Sequence, residues 1–177
     1  MIDATQTALI VVVPEAEATV GPHRAALDRA AAWGVPAHVT VLYPFLPPDA
    51  VDDAVLAALR AAIGSVPRFD ANLTEVGWFA DRVVWLAPRP AQPFRDLTAA
   101  VWSRFPQAPP YTGEFAEVVP HLTIGHDADR AVLNRAAAEV TAGLPISFEV
   151  ETVRLIAGTP GRRPWRSVTE IPLGPAV

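Results

Sequence analysis

The chain has 177 residues, of which 51% are apolar, and this is enough for one domain with a sizeable buried core. It contains no cysteine, which excludes disulfides, a thiol nucleophile, thiolate zinc sites and iron–sulfur ligation. The formal net charge of -5 argues against a protein that coats nucleic acid through a broad basic face. We therefore expect a single domain over residues 1–177, with two lobes and with chemistry supplied by other side chains.

The first half of the chain alternates strand and helix patterns. In chain order the patterns predict strand 8–13, helix 22–33, strand 37–43, a helix capped by Asp49, and strands 69–73, 76–79 and 83–86. The run at 8–13 is apolar throughout and β-branched from Ile10 to Val13, which indicates a strand buried on both faces. It is too short for a signal-peptide core or a membrane span, so we expect a cytoplasmic protein without membrane association.

The second half repeats this order of elements. The patterns predict helix 93–105, strand 121–125, a helix over 129–142 capped by Asp127, and strands 146–150, 152–156 and 167–171. The repeated order indicates an internal duplication, with two similar, pseudo-symmetric lobes that face each other. The segment 106–120 has no periodicity, and a loop of this length in a compact domain is typically functional or mobile.

Two strand segments share a pattern of histidine, apolar residue and threonine. His38 is followed two residues later by Thr40, and His121 is followed in the same way by Thr123. Because side chains alternate between the faces of a strand, each histidine shares a face with its threonine. If the two lobes pack against each other, two imidazoles and two hydroxyls converge on one cleft. The alternative is two half-buried strand histidines that bond only to their neighbours.

This set of groups suits cleavage of a phosphodiester. One imidazole can remove a proton from water while the other supplies a proton to the leaving oxygen, because histidine exchanges protons near neutrality. The threonine hydroxyls can donate hydrogen bonds to the phosphate oxygens as negative charge develops there. We therefore interpret His38 and His121 as catalytic and Thr40 and Thr123 as phosphate-binding.

The paired motifs resemble the signature of the two-histidine (2H) phosphoesterase superfamily, in particular its 2′-5′ RNA ligase and RNA 2′,3′-cyclic phosphodiesterase branch. The resemblance spans nearly the whole chain. It implies an α+β fold of the bilobal, duplicated LigT-like type, with two antiparallel-rich sheets around a central cleft and helices on the outside. It also implies catalysis without a metal, with His121 as base and His38 as acid.

One position departs from this resemblance. Second motifs in RNA-processing relatives often continue into an arginine five residues after the histidine, and here His126 occupies that place. An imidazole binds phosphate less firmly than a guanidinium does. A small nucleotide or another cyclic phosphate is therefore as suitable a substrate as an RNA end.

Several aromatic residues are candidates for stacking on a base. Tyr43 and Phe45 follow the first motif, and Trp78 and Tyr111 lie near loops. Core packing is favoured for Phe45 and Trp78, because aromatic residues dominate cores. Tyr111 is the better candidate, since it lies in the proline-rich loop just before the second motif.

The remaining polar clusters give weaker indications. Arginines 162, 163 and 166 form the only tight basic cluster, which fits either a phosphate site or a solvated turn. His121 and His126 do not have a zinc spacing, so we expect no metal and no cofactor. The predicted function is hydrolysis of a cyclic phosphate on a nucleotide or RNA end, with weak 2′-5′ ligation as a second activity, by a monomer that does not bind DNA. The alternative is a non-catalytic module that binds a nucleotide or an RNA end in the same cleft.

Overall fold

A computed structural model describes residues 4–177, so the first three residues of the predicted domain lie outside it. Eight strands form two four-stranded antiparallel sheets, and five helices connect them. The strands are β1 (Gln6–Val12), β2 (His38–Leu42), β3 (Phe69–Phe79), β4 (Val83–Arg89), β5 (Leu122–His126), β6 (Ile146–Val150), β7 (Thr152–Gly158) and β8 (Arg166–Pro172). The helices are α1 (Glu17–Leu27), α2 (Arg29–Ala32), α3 (Asp53–Gly64), α4 (Gln92–Arg104) and α5 (Arg130–Thr141). The predicted α+β architecture is confirmed.

Both histidine motifs lie on edge strands. The first sheet has the order β2-β1-β7-β8, and the second has the order β5-β4-β3-β6. In each sheet the motif strand pairs with the strand that precedes it in the chain. The sheets are not sequential halves, however, because the last two strands return to β1 and complete the first sheet. The second sheet is therefore an insertion between β2 and β7.

The two sheets are held together by helices that cross between them. Helix α4 follows β4 of the second sheet in the chain and packs against β2 of the first sheet. Helix α1 follows β1 of the first sheet and packs against β5 of the second sheet. The hydroxyl of Thr98 on α4 donates to the carbonyl of Val41 at 2.7 Å, which satisfies an acceptor of the edge strand. On the other side, a Cβ at Gly125 would lie 3.0 Å from the Cβ of Leu27, so glycine permits the close approach of α1. These two helix contacts bring the motif strands β2 and β5 next to each other.

The helix predicted at 22–33 differs from the observed one. Helix α1 begins at Glu17 and contains Pro22 in its interior, because the chain already turns helical at Pro14. It ends at Asp28, whose extended backbone (φ -115°, ψ 120°) separates α1 from the short α2. The side chain of Asp28 then caps α2 by accepting from the backbone N–H of Ala30 at 3.1 Å. Gly34 ends this region with a φ of 89°, a left-handed conformation that glycine adopts readily after a helix.

Two predicted helix caps were wrong. Asp52 caps α3 by accepting from the N–H of Val55 at 2.8 Å, while Asp49 lies in a preceding 3₁₀ turn. Asp129 precedes α5 without a side-chain cap, and Asp127 instead accepts from Arg82 at 2.9 Å. In both cases several aspartates lie within a few residues of the helix start. The local backbone geometry, or a contact that one aspartate makes elsewhere, decides which of them can cap the helix. Among residues 4–177, none of the helices has the length and apolar character needed to span a bilayer.

Candidate active site

The four motif side chains line one cavity of about 210 Å³ between the two sheets. His38 and Thr40 point into it from β2, and His121 and Thr123 point into it from the second sheet. The apolar residues between them point the other way and are buried in the core. Strand alternation thus puts two imidazoles and two hydroxyls around a single space.

Each motif histidine is fixed by the carbonyl two residues before it. The Nδ1 of His38 lies 2.8 Å from the carbonyl oxygen of Pro36, and the Nδ1 of His121 lies 2.7 Å from that of Val119. A carbonyl can only accept, so Nδ1 must carry the hydrogen in both rings. The Nε2 atoms are therefore the ones that can exchange a proton with a substrate.

A buried ion pair lies beside the histidines. Arg24 in the last turn of α1 and Asp28 just after its end are joined at 2.9 Å, and both residues are buried. Arg24 also donates to the carbonyl of Val35 at 3.3 Å. The sequence analysis did not single out this pair, although an arginine and an aspartate four residues apart are a recognisable helical pattern.

These charges act unequally on the two rings. Burial, followed by the guanidinium of Arg24, lowers the pKa of His38 to about 4, against the opposing effects of the Pro36 carbonyl and Asp28. Burial also lowers the pKa of His121, against the opposing effects of the Val119 carbonyl and Asp28. A proton on His121 further lowers the pKa of His38. Arg24 thus distinguishes two rings that are otherwise equivalent.

Tyr111 lines the cavity of the motif residues. Burial raises the pKa of its phenol, against the opposing effect of the nearby Thr40 hydroxyl. The backbone N–H of Tyr111 donates to the carbonyl of Tyr43 at 2.7 Å. Tyr111 and Thr112 both have left-handed backbones, with φ of 50° and 56°, which non-glycine residues adopt only when their surroundings hold them there. The loop that was predicted to be functional therefore places a tyrosine against a motif threonine.

Aromatic side chains that the sequence analysis did not single out form the walls of the site. On the side of the first sheet, Trp33 and Trp165 stack with ring centroids 6.2 Å apart, and both line the cavity together with Tyr43. On the side of the second sheet, the ring centroids of Phe79 and Trp85 lie 4.9 and 5.9 Å from that of His121. Nothing in the local pattern separates these aromatics from ordinary core residues.

A second cavity, of about 390 Å³, adjoins the first and shares Tyr111, His121 and Thr123 with it. His126 lies on its wall. The guanidinium of Arg29, from α2, lies 2.8 Å from the Nδ1 of His126. Burial and this guanidinium lower the pKa of His126. A guanidinium from another part of the chain thus lies next to the position that His126 occupies in the second motif.

Of the other aromatic candidates from the sequence, Phe45 and Trp78 lie away from the motif residues, whereas Tyr43 lies beside them. Phe45 is buried against Phe105, with centroids 5.1 Å apart, and the guanidinium of Arg130 lies 4.3 Å above the ring of Trp78. Tyr43 does line the first cavity, and its hydroxyl donates to Gln6 at 2.6 Å. Within residues 4–177, no group of three or more acidic or histidine side chains is placed to hold a metal ion.

Comparison with known proteins gives a family from the sequence and a shared fold from solved structures. The family model of the 2′-5′ RNA ligase superfamily matches residues 12–162, which include both motifs. No curated protein sequence matches the chain. LigT of E. coli, crystallised with 3′-AMP, has a similar fold, with a TM-score of 0.65 and 22% identity over 96% of this chain and 98% of LigT. The protein TT0787 of Thermus thermophilus has a TM-score of 0.62 and 17% identity over 94% of this chain and 97% of its own. The chain therefore belongs to the 2′-5′ RNA ligase superfamily of two-histidine phosphoesterases.

Proposed function

We propose that this protein hydrolyses a cyclic phosphate, such as a 2′,3′-cyclic phosphate on a nucleotide or RNA end, by acid–base catalysis between His38 and His121. The observation that supports this most directly is the single cavity lined by both histidines and both threonines. LigT of E. coli, which has the same fold, binds 3′-AMP. A nucleotide in the present cleft would place its phosphorus between the two Nε2 atoms.

In the proposed reaction, a water oxygen attacks phosphorus while the neutral imidazole of one histidine takes a proton from it. The bond between phosphorus and one ribose oxygen breaks, and the protonated imidazole of the other histidine gives a proton to that oxygen. The hydroxyls of Thr40 and Thr123 donate to the phosphate oxygens as charge develops on them. Each proton transfer typically contributes about 10²–10⁴-fold in rate.

The charges around the two rings favour His38 as the base and His121 as the acid, the reverse of the assignment that the resemblance implied. Arg24 opposes a proton on His38, while Asp28 favours a proton on either ring. A pair that shares one proton therefore holds it on His121. The negative charge of a bound phosphate raises the pKa of the nearby imidazole and so supports its protonation during the reaction.

The test is an assay on 2′,3′-cyclic mononucleotides with chelator present, using wild-type protein, His38→Ala and His121→Ala. We expect wild-type turnover and at least a hundredfold lower kcat in each variant. The matched control is His23→Ala, because His23 pairs with Glu139 on the protein surface and does not line the cavity. Unchanged activity in both motif variants would refute the assigned roles.

The pH dependence of kcat/KM tests which histidine is the base and which is the acid. The profile reports the free enzyme, in which the pKa of each histidine lies below 6.5. We expect a bell-shaped profile displaced to the acidic side of 6.5, with its lower limb near pH 4. Replacement of Arg24 by glutamine should move that limb to higher pH, because the charge that opposes protonation of His38 is lost.

A non-catalytic module that binds a nucleotide in this cleft is the second candidate. It would bind 3′-AMP without turnover of any cyclic phosphate. The presence of both histidines, each with its Nδ1 fixed by a carbonyl, favours the enzyme, because binding alone does not need two oriented proton carriers.

A further inference from the structure

Glu17, the first residue of α1, is bonded to the backbone just before the first histidine motif. Its carboxylate oxygen Oε1 accepts from the N–H of Ala37 at 2.6 Å. Ala37 is buried and immediately precedes β2, which begins at His38. A buried backbone N–H needs an acceptor, and a side chain of the neighbouring helix supplies it here.

The peptide group that Glu17 binds is also the one that orients the ring of the first motif. The N–H belongs to the peptide bond between Pro36 and Ala37, and the carbonyl of that bond accepts from the Nδ1–H of His38 at 2.8 Å. The bond is trans, so its N–H and its carbonyl point in opposite directions from one rigid plane. A rotation of this plane would therefore break both hydrogen bonds together. Glu17 is thus linked to the imidazole of His38 through a single peptide group.

The second motif has no such link. The carbonyl that accepts from the Nδ1–H of His121 belongs to the peptide bond between Val119 and Pro120. Because proline has no N–H, this peptide group has nothing to donate on its other side. The two motif histidines make the same bond at Nδ1, but only the carbonyl of the first motif is held by a side chain.

We propose that Glu17 is a positioning residue for the reaction, which holds the peptide group between Pro36 and Ala37 and so keeps His38 with the hydrogen on Nδ1. The inference rests on the proposed function, because it takes His38 as one of the two proton carriers. A loose carbonyl would let the ring turn or adopt the other tautomer, in which Nε2 carries the hydrogen and cannot accept a proton. Glu17 therefore acts on the proton transfer and not on the binding of the substrate.

Three substitutions separate the reach of the Glu17 side chain from its charge. Glu17→Gln keeps the length and an accepting oxygen, Glu17→Asp keeps the charge on a shorter side chain, and Glu17→Ala removes the acceptor. On a 2′,3′-cyclic mononucleotide we expect Glu17→Gln to retain about half of the wild-type kcat or more, because its amide oxygen still accepts from Ala37. Glu17→Asp and Glu17→Ala should each lower kcat about tenfold with little change in KM.

The matched control is Glu15→Ala, because Glu15 lies two residues earlier, is exposed and carries the same charge, and this variant should keep the wild-type kcat. Wild-type kcat in both Glu17→Asp and Glu17→Ala would overturn the inference and leave the proposed function intact. Equal losses in all three Glu17 variants would also overturn it, since an accepting oxygen of the right reach would then have no effect.

The second test does not require turnover. Burial lowers the pKa of both motif imidazoles, so the rings are mostly neutral at pH 7 and their tautomers can be read from nitrogen-15 chemical shifts. We expect both rings to carry the hydrogen on Nδ1 in the wild type. In Glu17→Ala and Glu17→Asp, His38 should gain a population with the hydrogen on Nε2, while His121 stays unchanged. An unchanged His38 tautomer in both variants would refute the role of Glu17. If no cyclic phosphate is hydrolysed but this tautomer changes as expected, the proposed function fails and the positioning by Glu17 stands.

Discussion

Acidification should destabilise the folded chain through His38. The pKa of this imidazole falls from 6.5 to about 4 on folding, chiefly because the ring is buried and lies near Arg24. Between these two pH values the unfolded chain binds a proton that the folded chain does not, so the free energy of unfolding decreases as the pH falls from 6.5 to 4. Below pH 4 both states are protonated and this contribution is lost entirely. At about 1.36 kcal/mol per pKa unit, the difference corresponds to about 3 kcal/mol.

The ring borders the cavity, where solvent screens part of the charge, so we expect about 2 kcal/mol of this effect in the free energy of unfolding. Urea unfolding at pH 7 and pH 4 measures it, with His38→Asn as the control. The asparagine amide can donate to the carbonyl of Pro36 as Nδ1 does, but it does not titrate. Wild type should lose about 2 kcal/mol more than the variant between the two pH values. Equal losses, or an imidazole resonance of His38 that titrates near pH 6.5, would refute the electrostatic reasoning.

Two further predictions concern the cleft and its packing. Tyr111→Phe removes the phenolic hydroxyl, which lies near Thr40, but keeps the ring, so kcat/KM for a cyclic mononucleotide should fall about fivefold. Tyr111→Ala also removes the ring and should reduce kcat/KM by about a hundredfold. Equal activity of the tyrosine and alanine forms would exclude a substrate contact. Gly125→Ala places a Cβ 2.9 Å from the Cδ2 of Leu133 and should lower the free energy of unfolding by about 1–3 kcal/mol. Gly64→Ala, which meets nothing within 4 Å, is the control for urea unfolding and should be neutral or slightly stabilising. Similar stability of the two alanine variants would contradict the close packing of α1 and α5 on β5.

Local pattern was enough for the parts of the site that lie within one strand. The alternation of side chains along β2 and β5 put each histidine on the same face as its threonine, and the observed cavity contains all four side chains. The buried strand β1 was also predictable, because a short apolar run that is rich in β-branched residues is typical of a strand buried on both faces. The residue that caps a helix was harder to predict, because several aspartates near Asp52 could each cap α3.

Only the tertiary structure decided how the two motifs meet and what surrounds them. The repeated order of elements predicted two sequential lobes, but β7 and β8 belong to the first sheet together with β1 and β2. Strand pairing between segments so far apart in the chain gives no signal in the local sequence pattern. The buried pair of Arg24 and Asp28, which makes the two histidines unequal, depends on α1 packing across the site. The tryptophan wall likewise joins Trp33 and Trp165 from distant segments. In these cases the stabilising free energy comes from contacts between segments far apart in the chain. Such contacts cannot be predicted from the periodicity or spacing of residues.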